Sequence, residues 1–281
     1  MLFNYHILIL SYNHPNLTAL TIKSVLDLNF PAEKIALVHN GSLLQHTEAL
    51  QLQFPQINHL VMPVNKGFSG GANFGLSEIF KQTDSILFLT NDTEVIHLAK
   101  NFQKNYDFFS VLILKRKTNN LDSCLGTVNL KTGRLTHIKS MLIKPVNSLF
   151  IKTYIPGTAF GITKTVFQRL NGFDENLHTY WEDVDLSLRA HQQNIIISQS
   201  SDFKVKHKIG KTCHKDRFYT LFLFQRNRKR ILKRYGLSRI TFYWVYSVDM
   251  IKILLQIITK DDFKKNLNLW WKAIYDRTDN Y

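Results

Sequence analysis

Short apolar runs alternate with helix-period segments through the first third of the chain. Residues 7–10, 35–38, 58–62 and 85–90 have the length and apolar content of buried strands. Residues 15–28, 43–53 and 70–82 repeat their apolar positions at helical spacing. This alternation predicts an α/β fold with a Rossmann-like, mostly parallel central sheet flanked by helices. Residues 108–114 predict another strand, residues 127–138 a hairpin, and residues 203–206 a further strand-like run. Beyond Lys215 the pattern is helical to the end, with Arg226-Asn-Arg-Lys-Arg230 inside one helix.

Parallel sheets bind ligands outside the carboxyl ends of their strands. Those ends read Ser11-Tyr-Asn-His-Pro15, His39-Asn-Gly-Ser42, Asn65 to Gly75 and Asn91-Asp92-Thr93, all polar or glycine-rich. Residues 65–75 lack the spacing of a dinucleotide fingerprint and the terminal Gly-Lys-Ser/Thr of a phosphate-binding loop. Their glycines serve either a tight strand-to-helix turn or close approach of backbone amides to a diphosphate or sugar. Asp92 ends a very apolar strand, either as a hard-metal ligand for Mg2+ or Mn2+ or as part of an Asn-Asp turn. His207 sits among lysines and is either a metal ligand or an ordinary structural histidine.

The segment from Asn171 to Arg189 places Glu182, Asp183 and Asp185 after Tyr180 and Trp181, at the start of an amphipathic helix. Helix capping accounts for one acid at such a position; a general base facing a bound substrate accounts for more.

Composition narrows the partners. The chain has 281 residues and a net charge of +15. Residues 201–281 hold 19 Lys/Arg against 7 Asp/Glu, while the first 200 hold 17 against 14. A basic C-terminal third on a near-neutral body points to an anionic membrane surface; no nucleic-acid-reading motif is present. Residues 242–258 are apolar but include Asp249 and Lys252, which suits a helix lying on a membrane better than one crossing it. A core-packing helix with a solvated basic face reads equally well. Cys124 and Cys213 form no disulfide framework, and the N-terminus lacks a basic leader, so a cytoplasmic setting is expected, peripheral at the inner membrane face.

Taken together, these segments resemble the family-2 glycosyltransferases of bacterial polysaccharide assembly, and within them the rhamnosyltransferase-like branch with the GT-A fold. The resemblance rests on five segments in order: Leu8-Ile-Leu-Ser-Tyr-Asn13; His39-Asn-Gly-Ser42; Asn65-Lys-Gly-Phe68 with Gly70-Gly-Ala-Asn73 and Gly75; Phe88-Leu-Thr-Asn-Asp-Thr93; and Pro156-Gly-Thr-Ala159 leading to Gly172-Phe-Asp-Glu175 and Glu182-Asp-Val-Asp185. It implies an inverting transfer of rhamnose, galactose or a related hexose from a UDP- or dTDP-sugar to a glycan or lipid-linked glycan. It implies Asp183 as catalytic base with Glu182 beside it. Ser11, Asn13, His39, Asn40, Asn65, Gly67, Phe68, Asn73 and Asn91 are implied on the donor, with Gly157, Thr158 and Trp181 on the acceptor side. Asp92 and His207 are implied as metal ligands. His39 departs from the family's usual Asp, and Asn91-Asp92-Thr93 is a reduced metal motif. A catalytically silent sugar-binding protein and a nucleotidyltransferase are the rival readings; the first polar loop lacks the glycines and lysine usual in the latter. The expected layout is a catalytic domain at 1–215 and a helical basic extension at 216–281.

Overall fold

The computed structural model describes residues 3–102, 106–115, 118–141, 144–207, 217–236, 239–258 and 263–275. The expected domain boundary at 215/216 and Cys213 lie outside them, as do the side chains of Arg239 and Lys252.

The first half follows the predicted alternation: β1 (His6–Ser11), α1 (Pro15–Leu26), β2 (Ile35–Asn40), α2 (Leu44–Gln53), β3 (Asn58–Met62), α3 (Gly67–Ile79) and β4 (Ser85–Thr90). These strands lie side by side in the order β3-β2-β1-β4, all parallel. Alternate residues of one strand feed two separate cores. Leu8, Leu10, Ile86 and Phe88 pack on one face of the sheet, and Ile7, Ile9, Leu87 and Leu89 on the other. A strand buried on both faces reads as a continuous apolar run, which is why β1, β2 and β4 are plain in the sequence; β3, at the sheet edge, buries only Met62.

The second half changes the sheet's character. β5 (Thr93–Leu98), β6 (Phe108–Lys115), β7 (Leu121–Ser123), β8 (Leu125–Asn129), β9 (Arg134–Ile138), β10 (Ile151–Tyr154), β11 (Ala159–Thr163) and β12 (Ser198–His207) follow. β11 joins antiparallel to β4 and β6, and β12 joins parallel to β6 and antiparallel to β5. The nine-stranded sheet is therefore mixed, not mostly parallel: beyond β4 only the β6–β12 pairing is parallel. The predicted hairpin is β8–β9, part of a separate three-stranded antiparallel sheet with β10.

Helix α3 begins at Gly67, three residues before the expected start, and its glycines have packing duties. A Cβ on Gly75 would stand 2.5 Å from Val38 Cγ2, and one on Gly71 would stand 2.7 Å from Leu10 Cδ1. The pair at i and i+4 lets α3 press against β1 and β2.

After α4 (Lys164–Arg169) and α5 (Glu182–Gln192), the chain ends in α6 (Arg217–Tyr235), α7 (Arg239–Ile258) and α8 (Phe263–Tyr275). Arg226, Asn227, Arg228 and Lys229 are buried on α6. The basic run is thus drawn inward instead of forming a solvated face: Arg228 pairs with Asp249 at 2.7 Å, and Arg234 with Asp174 and Asp185 at 3.0 and 2.8 Å.

Candidate active site

A cleft of about 300 Å³ opens at the carboxyl ends of β1, β2 and β4. One wall comes from strand ends and the turn into α3: Ser11, Asn40, Asn65, Gly67, Phe68, Asn91 and Asp92. The other comes from Gly157, Thr158, the 178–180 loop and the first turn of α5 with Glu182 and Asp183, and His207 closes one end. Twelve of the sixteen residues singled out in the sequence therefore line one space.

Asp92 occupies the turn between β4 and β5 and is 7% exposed. Its Oδ1 accepts from the Thr90 hydroxyl at 2.7 Å, and its Oδ2 lies 3.2 Å from His207 Nε2. β12 and β5 pair with His207 opposite Thr93, and this register brings residues 115 positions apart into contact. One carboxylate and one imidazole form a donor pair that suits Mn2+ or Mg2+ when diphosphate oxygens and water supply the remaining positions. Among the described residues no group of three His, Cys, Asp or Glu is placed to hold a metal ion by itself.

The Asn91 amide donates to the Ser11 and Thr18 hydroxyls at 3.3 and 3.1 Å, and Ser11 and Thr18 share a 2.7 Å hydrogen bond. Thr21 donates to the carbonyls of Asn91 and Thr93. This polar set braces the Asp92 turn from below. Thr18 and Thr21 were missed in the sequence; their signal was a pair of polar residues, three apart, on the apolar face of α1.

Asn40 and Asn65 shape the entry to α3. Asn40 donates to Asn65 Oδ1 at 3.1 Å and to the Gly67 carbonyl at 2.8 Å. The first amides of α3 already have acceptors. Gly67 N–H donates to Asn65 Oδ1, Phe68 N–H to the Thr179 hydroxyl and Ser69 N–H to the His178 carbonyl. The helix start is capped by protein, so it does not present bare amides to a diphosphate.

Glu182 and Asp183 begin α5. Asp183 Oδ2 accepts from Gly157 N–H at 3.0 Å and Oδ1 from Val184 N–H at 2.8 Å. Glu182 is 6% exposed, and its Oε2 has no hydrogen-bond partner among the described residues. Burial and then the Asp183 charge push the Glu182 carboxyl well above its usual range. Burial also raises Asp183, and the two backbone amides oppose that rise. The two amides favour the charged form at Asp183, so its rise is opposed more strongly than that of Glu182. The third acid has a different fate. Asp185 is fully buried, bound by Arg189 Nε at 2.8 Å, Arg234 at 2.8 Å and the Tyr235 hydroxyl at 3.1 Å.

The loop before α5 departs from ordinary backbone. His178, Tyr180 and Trp181 have φ of 62°, 71° and 70°, values that cost about 1–3 kcal/mol each outside glycine. Gly67, at φ 69°, leaves room for His178, whose Nδ1 would stand 2.2 Å from a Cβ there.

Four of the sixteen lie outside the cleft. His39 is fully buried and stacks on His59, with Nε2 and Nδ1 2.9 Å apart. It shares the Leu37 face of β2, while its neighbour Asn40 turns towards α3. Asn13 ties two loops together, accepting from Leu43 N–H at 2.8 Å. Asn73 pairs with both backbone groups of Phe173, at 2.9 and 2.8 Å. Trp181 is 2% exposed and packs among Val128, Leu188 and Ile231. Conversely, Tyr12 lines the cleft at 41% exposure and was not singled out in the sequence. An exposed aromatic directly after a buried strand was its only signal.

Comparison with known proteins adds three findings. The family described as Glycosyl transferase family 2 matches residues 6–159. The low-salt glycan biosynthesis hexosyltransferase Agl10 of Haloferax volcanii is 27% identical over 184 residues, covering 58% of this chain and 56% of the relative. This chain therefore spans little more than half of that relative's length. Among solved structures, GalNAc-T7 with UDP, GalNAc and Mn2+ superposes with a TM-score of 0.57 at 15% identity, over 83% of this chain and 48% of its own. The mannosyltransferase PcManGT of Pyrobaculum calidifontis, in complex with GDP-Man and Mn2+, superposes at 0.51 and 9% identity, over 98% and 75%. These likenesses establish the GT-A glycosyltransferase fold.

Proposed function

Because this chain belongs to glycosyl transferase family 2, we propose that it transfers a hexose from a nucleoside-diphosphate sugar to a hydroxyl of a glycan or lipid-linked glycan, with inversion at the anomeric carbon. The observation that carries the reading is the shared cleft, with Asp92 and His207 on one side and Glu182 and Asp183 on the other. Mn2+ or Mg2+ held by Asp92 and His207 would neutralise charge developing on the leaving diphosphate. Asp183 takes the proton of the acceptor hydroxyl as its oxygen bonds to the anomeric carbon. The bond from that carbon to the diphosphate oxygen breaks, and its electron pair leaves with the nucleoside diphosphate. A base held above the usual carboxylate range is better matched to a hydroxyl proton. Protonated Glu182 offers the acceptor a hydrogen bond from Oε2, which has no partner among the described residues. Tyr12 presents a ring face for the nucleobase.

The family resemblance favours dTDP-rhamnose, with UDP-galactose next. The test is nucleoside diphosphate release from UDP-, dTDP- and GDP-sugars, with and without Mn2+. Mn2+-dependent release from one donor supports the reading. Donor binding with no release in the presence of a panel of glycan and lipid-linked acceptors would favour a silent binding protein.

We also propose a membrane-facing flank. Ile240, Tyr243 and Ile251 are exposed along one side of α7, with Trp271 exposed on α8. Among the described residues no helix is long and apolar enough to cross a membrane. Co-sedimentation of the full chain with anionic vesicles, weakened by Ile240→Glu with Ile251→Glu, is the expected result.

A further inference from the structure

We propose that Asn227, on α6, is a positioning residue for Asp183: its carboxamide holds the left-handed loop from which Glu182 and Asp183 enter the cleft. The inference rests on Asp183 being the base.

Asn227 is fully buried. Its Nδ2 donates to the carbonyls of Leu177, Thr179 and Tyr180 at 2.7, 2.9 and 2.8 Å. An amide nitrogen has two hydrogens, so one is shared between two carbonyls. Asn227 Oδ1 accepts from Arg226 Nε at 3.0 Å, which fixes the amide's orientation. Arg226 and Arg230 reach the Asn176 carbonyl at 3.3 and 2.8 Å. One face of α6 thus gathers the carbonyls of residues 176, 177, 179 and 180.

The backbone explains why a donor is needed there. With positive φ at 178, 180 and 181 the loop follows no regular ladder, and the Leu177 carbonyl also accepts from Thr179 N–H at 2.7 Å and from Arg226 at 3.2 Å. Buried carbonyls require donors, and Asn227 is placed to serve three at once. The same loop caps α3 through His178 and Thr179, so it spans the gap between the base and the strand-end wall. Moving it displaces Asp183 relative to a bound donor while Ser11, Asn40 and Asp92 stay in place. A misplacement of about 1 Å is enough for roughly a hundredfold loss of rate.

The test replaces the donor with an acceptor of equal shape. Asn227→Asp puts a carboxylate oxygen against three carbonyls. The expected result is a ten- to hundredfold fall in kcat, read as nucleoside diphosphate release from the UDP- or dTDP-sugar found active, with donor Kd from calorimetry within threefold. The pH profile of kcat is expected to shift, because Asp183 leaves the Gly157 amide. Amide hydrogen exchange over residues 177–184 is expected to quicken while β1 and β4 stay protected. If Asn227→Asp does not fold, Asn227→Ser, which keeps one donor hydrogen, takes the same measurements. Unchanged kcat per folded molecule and an unchanged pH profile, with only a lowered Tm, would overturn the proposal. Asp183→Asn is run in parallel: near-normal turnover there would remove the base reading itself, whereas an inactive Asp183→Asn beside an unaffected Asn227 variant would remove only the clamp.

Discussion

Across the cleft, the wall carrying Ser11, Asn40 and Asp92 grows out of parallel strands buried on both faces, whereas the wall carrying Glu182 and Asp183 hangs from a loop with three left-handed residues. The first wall is held by strand ladders and by α1, whose Thr18 and Thr21 brace the Asp92 turn from about seventy residues away. The second has no ladder of its own and depends on single contacts from other elements: Gly157 in the turn before β11 and Asn227 on α6. Rigidity from regular structure suits a surface that must present several groups at once. A strained loop instead allows two acids to be lowered into a partly buried place where their proton affinities separate.

The sharpest break is Asp183→Asn. It is expected to lower kcat about 10²–10⁴-fold with donor affinity retained, since the loss falls on the loop wall alone; steady-state kinetics and calorimetry check it. Next comes Asp185→Ala, two residues away. It leaves Arg189 without its buried counter-charge and Arg234 with Asp174 alone, and is expected to cost about 3 kcal/mol of stability, at the lower end because Arg234 is half-exposed and keeps that partner. Urea denaturation reads that cost, while kcat per folded molecule is expected to change by less than tenfold. If Asp185→Ala instead abolished turnover in folded protein, the division between the two acids would be lost.

His39 sharpens the picture of the strand-end wall. Burial and then His59 lower its pKa to about 4, against about 6.5 when unfolded. A depressed folded pKa contributes stability that is present above pH 6.5 and lost as pH falls through 4. By pH 4 the loss amounts to about 3 kcal/mol. His39→Gln is expected to flatten that acid slope in denaturation curves taken from pH 7 to 4. The smallest expected effect is Asp92→Asn: about a tenfold weaker donor Kd with Mn2+ present and little change without it, measured by calorimetry. Equal weakening with and without Mn2+ would remove Asp92 from the metal role.

Much of the strand-end wall was legible because its signals are local. β4 is a run of apolar residues ending in an acid, and both the strand and the cleft position of Asp92 follow from that. The loop wall was legible in its acids but not in its support. Asp183 and Asp185 stand on opposite sides of α5, about 200° apart at 100° per residue, yet nothing local says which side meets the cleft. Asn227 was equally silent, an asparagine within a basic run that reads as solvated. His39 was misleading for a related reason: strand alternation sends His39 and Asn40 to opposite faces, and only the packing of α3 shows which face opens on the cleft.

The family, the alternation of strands and helices up to β4, and the polar strand ends where a ligand would sit are written in local signals, because period and residue type act over a few positions. The tertiary structure decided the mixed order of the sheet beyond β4, the separation of a cleft-facing acid from a structural one, and the inward turn of the basic helix α6. Each of these depends on which distant groups desolvate or neutralise a side chain, and that is a property of the packed chain alone.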